Sequence, residues 1–520
     1  MDDGAIDLTA LPERIHDLVD HWAAETPDAL ALIDHDGQTL TYAELHDGVS
    51  AMAAALADAG VRGGDRVLIV NENSAATAAA LFAASQLDAW AVLVNARLAP
   101  IEIDRICQHA QPRAIAFTHA VSQDAAAHAD RYHAGVSVMT VAGPVRIVAG
   151  LPATPEPVAT SNASQVAAVI YTSGTTGNPK GVMLTHRNLL FTASVSGRLR
   201  RIVRSDFVIQ LVPIAHVFGL ASVLLCTINA GARIVLVPRF DAGRLADLLQ
   251  SGITVLQGVP AMYAKLLEHL ESSGRLLHAP GLRLISAGGS PLDIDWKRSI
   301  ERRFGLPLNN GYGLTECSSN VAMTRVESPR DDDSIGLPLP GVDVRFVGAD
   351  GTDVPDGQIG ESWIRGPNVM QGYYRDDAAT RAAVTGDGWF RTGDLGCRRK
   401  DGYLFIVGRL KELIIRSGFN VYPAEVETAL NAHPDVVQSA VIGRRADGNE
   451  EVIAFIEAKV GSGLQVSTLR DHARERLAAY KRPQHIFILD RIPASPTGKI
   501  LKATLAPLAE RLIARGKSVE

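Results

Sequence analysis

The chain has 520 residues, and 51 Lys and Arg against 57 Asp and Glu leave a formal charge of −6, so it carries no basic footprint for nucleic acid. Hydrophobic residues at 47% and charged residues at 21% match soluble globular proteins and exclude a disordered or fibrous chain. At roughly 100–200 residues per domain the length predicts two to four domains.

The start, Met1-Asp2-Asp3-Gly4 running into Leu11-Pro12-Glu13-Arg14, lacks the basic and apolar blocks of a secretion signal, so a cytoplasmic protein is expected. From Leu11 to Asn95 the chain alternates helical and strand-like segments. Thr41-Tyr42-Ala43-Glu44 reads as a capping box opening a helix to about Ala59. Arg66–Val70 then reads as a strand, Ala75–Leu87 as a helix with Ala and Leu on its buried face, and Trp90–Val94 as a strand. This rhythm predicts a parallel α/β layer. It resumes in the apolar runs Gln165–Tyr171, Arg233–Val237, Thr254–Gly258 and Arg283–Ala287. The apolar stretches Ala75–Val94 and Val217–Ala232 are broken by Gln86 and Asp88, or carry Asn229 and are too short for a bilayer. Cys107, Cys226, Cys317 and Cys397 are far apart, which predicts reduced thiols rather than a zinc or disulfide framework.

After about Asp331 short segments such as Gly341–Val347 alternate with Gly, Pro and Asp, predicting a barrel-like β region. Beyond Gly408 a small α+β domain is expected, with helices at Pro423–Asn431 and Ser467–Ala479 and strands at Val436–Ile442 and Val452–Ala458.

The most informative segment is Tyr171-Thr172-Ser173-Gly174-Thr175-Thr176-Gly177-Asn178-Pro179-Lys180-Gly181, which follows an apolar strand. Glycines let N–H groups converge on an anion, and the hydroxyls and Lys180 add donors, so phosphate is the natural ligand. It is not a Walker A loop, because no Gly-Lys-Ser/Thr closes it. Composition alone leaves a plain Gly/Ser/Thr surface loop equally open.

Residue order favours phosphate, because the segment resembles the phosphate-binding signature of the adenylate-forming superfamily of acyl-CoA synthetases, peptide-synthetase adenylation domains and luciferases. Further segments resemble that family's signatures in the same chain order: Asn310-Gly311-Tyr312-Gly313-Leu314-Thr315-Glu316, Arg391-Thr392-Gly393-Asp394, Gly408-Arg409-Leu410-Lys411 and Pro496-Thr497-Gly498-Lys499. The resemblance runs from near residue 10 to near residue 510 and is strongest to a bacterial fatty or aromatic acid–CoA ligase. It implies an α/β fold: two α/β layered subdomains and a distorted β-barrel in a large domain, residues 1–409, and a small mobile α+β domain, residues 410–520.

The implied reaction joins a carboxylic acid to ATP, giving acyl-adenylate and pyrophosphate, then to CoA. Thr172, Ser173, Gly174, Thr175, Thr176, Gly177 and Lys180 would hold phosphates. Glu316 would hold Mg²⁺ beside Thr315, whose hydroxyl reaches the α-phosphate. Gly288, Gly289, Asn310, Gly311 and Tyr312 would receive adenine, and Asp394 the ribose hydroxyls, with Ile406 and Arg409 alongside. Lys499 corresponds to the lysine that offsets repulsion between carboxylate and α-phosphate. Lys411 matches the hinge about which the small domain rotates, bringing Gly418 to the pantetheine arm, with His216 flanking the tunnel.

Pro213 to Leu220 holds no Asp or Glu to pair an amino-acid ammonium, and only about twenty residues follow Lys499, so a free-standing CoA ligase is expected over a peptide-synthetase module. Family positions would line the acid pocket with Val217, Gly258, Ala287, Gly311, Gly313, Cys317 and Ser318, which suits a fatty or aromatic monocarboxylic acid. Arg233 and Arg283 lie near these elements in sequence and keep a malonyl-type dicarboxylate open. A luciferase-like enzyme and an adenylating enzyme with a non-CoA acceptor share the same ATP motifs and stay open as well. The expected partner is a small-molecule acid, with no nucleic acid and no transmembrane segment, in a monomer or homodimer.

Overall fold

The computed structural model describes residues 4, 6–172, 179–416, 419–446, 449–459, 461–494 and 500–514. The helix Tyr42–Asp58 starts where the capping box predicts: Thr41 Oγ1 accepts from Glu44 N at 3.2 Å, and Glu44 Oε2 accepts from Thr41 N at 2.8 Å. Two donors orphaned at the helix start are thereby satisfied. Strands Arg66–Asn71 and Trp90–Asn95 pair in parallel around the helix Ala75–Gln86. That helix differs from expectation in having no solvent face, since every residue from Ala75 to Ser85 is buried. Its small side chains let it lie against the helix Tyr42–Asp58 and the strands Arg66–Asn71, Trp90–Asn95 and Gly143–Val148 together.

Among the described residues two large sheets carry the main body. The eight-stranded sheet is ordered Gly372–Tyr373, Lys180–Thr185, Val166–Thr172, Trp90–Asn95, Arg66–Asn71, Ala114–Phe117, Gly143–Val148, Val136–Thr140. Its central four strands are parallel and both edges antiparallel. The nine-stranded sheet contains the parallel run Arg233–Leu236, Phe207–Gln210, Val255–Gly258, Leu284–Ala287, Leu308–Tyr312. The region expected to be barrel-like forms a four-stranded antiparallel sheet of Asp343–Val347, Gly360–Arg365, Phe390–Arg398 and Leu404–Arg409.

The apolar stretch after Val217 is a π-helix, Phe218–Leu225, continued by the α-helical turn Cys226–Asn229. Gly219 is required at its start, because a Cβ there would lie 2.2 Å from Pro213 O. Among the described residues no helix is long and apolar enough to cross a membrane, and all four cysteines are free thiols.

The C-terminal part has its own core, including Ile414, Val426, Leu430, Val441, Ile456 and Leu469. Its three-stranded sheet is ordered Val436–Ala446, Asn449–Ala458, His485–Leu489, with the helix Pro423–Asn431 as expected and the next helix spanning Val466–Arg476. The first strand outruns its apolar stretch because Arg444 and Arg445 face Glu451 and Glu450 across the ladder, with Arg444 Nη1 2.9 Å from Glu451 Oε2; such cross-strand charge pairs support pairing after hydrophobic alternation ends. Lys502 is clamped by Glu412 and Glu427, each at 2.8 Å. Burial pushes its ammonium pKa down, but Glu427 and Glu412 outweigh that and hold it above the usual lysine range.

The close packing of the alanine helix gives a direct test. Ala79 is 0% exposed, so Ala79→Leu overpacks the helix against both neighbours and lowers stability by about 1–3 kcal/mol, read as a shift of the first urea transition.

Candidate active site

Parallel strands leave their carboxyl ends as the natural floor of a ligand crevice, and in the nine-stranded sheet these ends are Gly258, Ala287 and Tyr312. Gly288 and Gly289 follow one of them, and Gly288 N donates to Gly258 O at 3.2 Å. Asn310 is 5% exposed. Its amide donates to Ser334 O at 3.0 Å, and its Oδ1 accepts from Gly311 N at 3.0 Å.

The loop after Tyr312 is shaped by a close approach. A Cβ on Gly313 would lie 1.2 Å from Ser319 O, so no other residue fits. Ser318 and Ser319 have φ of 53° and 92°, positive values uncommon for residues with a side chain. This tight loop carries Thr315 and Glu316 in a single 3₁₀ turn, Thr315–Cys317.

The antiparallel sheet meets this floor at Asp394. Tyr312 Oη donates to Asp394 Oδ2 at 2.5 Å, and Arg409 Nε lies 3.0 Å from Asp394 Oδ1. Burial first, then the Asp394 carboxylate, raises the Tyr312 pKa well above the usual tyrosine range, so the phenol stays protonated and donates. Asp394 and Arg409 face each other across the ladder, with Ile406 on the same strand.

The phosphate-type loop joins an antiparallel hairpin, with Thr172 and Lys180 as cross-strand partners. Ser173, Gly174, Thr175, Thr176 and Gly177 lie outside the described residues, as do Gly418 and Lys499. Tyr373, which the sequence reading missed, links this hairpin to Glu316: its hydroxyl donates to Glu316 Oε1 at 2.9 Å, and Lys180 Nζ sits 4.8 Å from its ring centroid. Tyr373 reaches this position through a two-residue strand pairing Gly372 with Met183 and Tyr373 with Val182. So short a strand has no periodicity to detect, and the doubled Tyr373-Tyr374 was the available signal. Among the described residues no lysine or arginine ion-pairs with Glu316, so its oxygens suit a hard cation supplied from outside.

His216 is half-buried ahead of the π-helix, with Nδ1 accepting from Phe218 N at 3.2 Å. Lys411 lies in the short 3₁₀ turn Leu410–Glu412 after Arg409.

The expected acid pocket needs two corrections. Cys317 and Ser318 are 0% exposed and line no open space: Cys317 belongs to the main core, and Ser318 Oγ donates to Asn368 O at 2.9 Å. Arg233 and Arg283 sit at the amino ends of their strands, on the edge of the sheet away from the crevice. Arg233 stacks over Phe207 with its guanidinium carbon 4.5 Å from the ring centroid, and Arg283 Nε donates to Asp206 Oδ1 at 2.8 Å.

The family model described as AMP-binding enzyme matches residues 19–374, and AMP-binding enzyme C-terminal domain matches residues 425–499. Feruloyl-CoA synthase of an Amycolatopsis species is 36% identical over 491 residues, covering 92% of this chain and 96% of that protein. Sulfoacetate–CoA ligase of Cupriavidus necator is 33% identical over 493 residues, covering 93% and 95%. The crystal structure of ATP-bound MatB from Rhodopseudomonas palustris superposes with a TM-score of 0.83 at 30% identity, covering 95% of this chain and 99% of that one.

Tyr373→Phe removes one charge-assisted bond to Glu316, worth about 1.5–3 kcal/mol. The expected outcome is a Kd for Mg-ATP raised roughly tenfold or more by calorimetric titration, with unchanged affinity for AMP.

Proposed function

Since the chain belongs to the AMP-binding enzyme family and is an AMP-forming acid–CoA ligase, we propose that its substrate is a compact carboxylic acid, aromatic or short-chained, rather than a long fatty acid. Relatives include a feruloyl-CoA synthase and a sulfoacetate–CoA ligase, and the buried Ser286, Ala287 and Asn310 stand at the carboxyl ends of the parallel strands, a floor of small and polar side chains that supports a compact acid. The observation that carries the site assignment is the meeting of Tyr312, Asp394 and Arg409 at one end of the crevice and of Lys180, Tyr373 and Glu316 at the other.

Carboxylate and ATP repel one another, so the site's work is to supply positive charge and alignment. In this reading Asp394 takes the ribose hydroxyls while Tyr312 and Arg409 fix its rotamer, and the Tyr312 ring and Gly288–Gly289 receive adenine beside Asn310, Gly311 and Ile406. Lys180 and the loop 172–177 hold the β- and γ-phosphates. Glu316 would hold Mg²⁺, which when bound neutralises phosphate charge, and the Thr315 hydroxyl bonds the α-phosphate. Lys499 sits between the acid's carboxylate and the α-phosphate during adenylation.

We place the boundary of the small domain after Arg409. Rotation about Lys411 then withdraws Lys499 and brings Gly418 to the pantetheine arm, at the tunnel that His216 flanks.

The test is pyrophosphate release with Mg-ATP and acids of graded length and ring content, with and without CoA. Sustained turnover that needs CoA and peaks among aromatic or short acids is expected; a maximum at long fatty acids overturns the substrate class. Lys499→Ala should slow adenylation by roughly 10²–10³-fold while leaving thioester formation from supplied acyl-adenylate near its normal rate, measured in single turnovers.

A further inference from the structure

The buried guanidinium of Arg66 is well satisfied. Arg66, 0% exposed, donates to four backbone carbonyls, those of Ala110, Gly64, Thr154 and Gln111, at 2.8–3.1 Å. Arg200, 6% exposed at the C-terminal cap of the helix His186–Leu199, is not. Its described bonds are one to Ser222 O at 3.4 Å and one to the Cys226 thiol. No carboxylate among the described residues pairs with it. Cys226 does not serve as a counter-ion, because burial pushes that thiol up to about 11 despite the nearby guanidinium. A guanidinium stays charged in proteins, and a buried unpaired charge is costly enough that folds normally pair it.

The small residual exposure of Arg200 opens onto a narrow crevice lined also by Ser286, Ala287, Asn310, Gly311 and Met323. Ala287 ends one of the parallel strands at the floor of the ligand crevice, and Gly311 stands next to Tyr312 at the end of the neighbouring strand. Ser286 Oγ is buried there without a hydrogen-bond partner. Ser222, whose carbonyl accepts from Arg200, belongs to a polar cluster: its Oγ lies 2.8 Å from Ser319 Oγ, and Asn320 Nδ2 donates to it at 2.6 Å. A purely hydrocarbon acyl chain would leave the charge and the hydroxyl unmatched.

We propose that Arg200, with the Ser286 hydroxyl, recognises a second anionic group, a carboxylate or sulfonate, at the end of the substrate acid remote from the carboxylate that is adenylated. This rests on the acid–CoA ligase reading and narrows it from compact acids to compact dianionic acids. It also explains how the enzyme would reject monoacids of the same size, since a site built for a polar partner discriminates strongly against an analogue lacking it.

The experiment measures kcat/KM for CoA thioester formation with matched pairs: succinate and butyrate, sulfoacetate and propionate, phthalate and benzoate, 2-carboxycinnamate and cinnamate. At least one dianionic member should exceed its partner by about 100-fold or more. Arg200→Met should abolish that preference, leave activity on the monoacid equal or higher, and raise the melting temperature of the free enzyme because an uncompensated charge is removed. Arg200→Lys should retain part of the preference. Preference for the monoacid in every pair by the wild type overturns the proposal, as does an equal loss on both pair members in Arg200→Met. CoA-dependent turnover absent from all acids would instead overturn the underlying assignment of acid class, which the wild-type panel reads independently of the variants.

Discussion

The Asp394 carboxylate is the junction on which the site depends. It is 4% exposed and lies where the antiparallel sheet abuts the last parallel strand, with a phenol on one oxygen and a guanidinium on the other. A carboxylate in so little water is costly to bury, and these two partners offset that cost. The bonds therefore dock one sheet on another as firmly as they orient a ligand group, and strand Leu404–Arg409 ends in Arg409 at this point. Whatever happens at the adjoining Leu410–Glu412 turn begins from a fixed base.

Chemistry is distributed around that junction by backbone geometry more than by side-chain reach. The collision that would follow from any Cβ at Gly313, and the two consecutive positive φ values at Ser318 and Ser319, hold Thr315 and Glu316 in one conformation. On the other side, a hairpin instead of a strand-to-helix turn brings Thr172 opposite Lys180. The proposed phosphate site therefore lies at the end of an antiparallel strand pair, where a Walker loop would sit at a helix N-terminus.

Much of the fold was legible because local signals and tertiary packing agree. Thr41 and Glu44 announced their helix, and the apolar runs around Val67, Val92, Ile170, Leu256 and Ile285 announced the parallel strands. Motif order likewise located Tyr312, Asp394 and Arg409 before their contacts were seen. What escaped had a physical reason. Tyr373 sits on a strand too short to have a period. Arg200 stands in the run Arg198-Leu199-Arg200-Arg201, which reads as a solvated helix end, although only Arg200 of its three arginines is buried. Arg233 and Arg283 were close to pocket strands in sequence, but nearness in sequence does not say at which end of a strand a side chain lies. The π-helix at Phe218–Leu225 was visible only as an apolar stretch, since its widened turn has no distinct pattern.

The clamp on Lys502 has a temporal consequence. Lys499 is three residues upstream of it, and three residues span at most about 10–11 Å. Glu412 lies in the turn that follows Arg409, and Glu427 in the helix Pro423–Asn431, so the two carboxylates tie the start of the last helix to both elements at once. In the rotation proposed above, the backbone at position 499 is leashed to whatever body carries that clamp, so the timing of the two half-reactions becomes a property of a tethered body more than of a single side-chain rotamer.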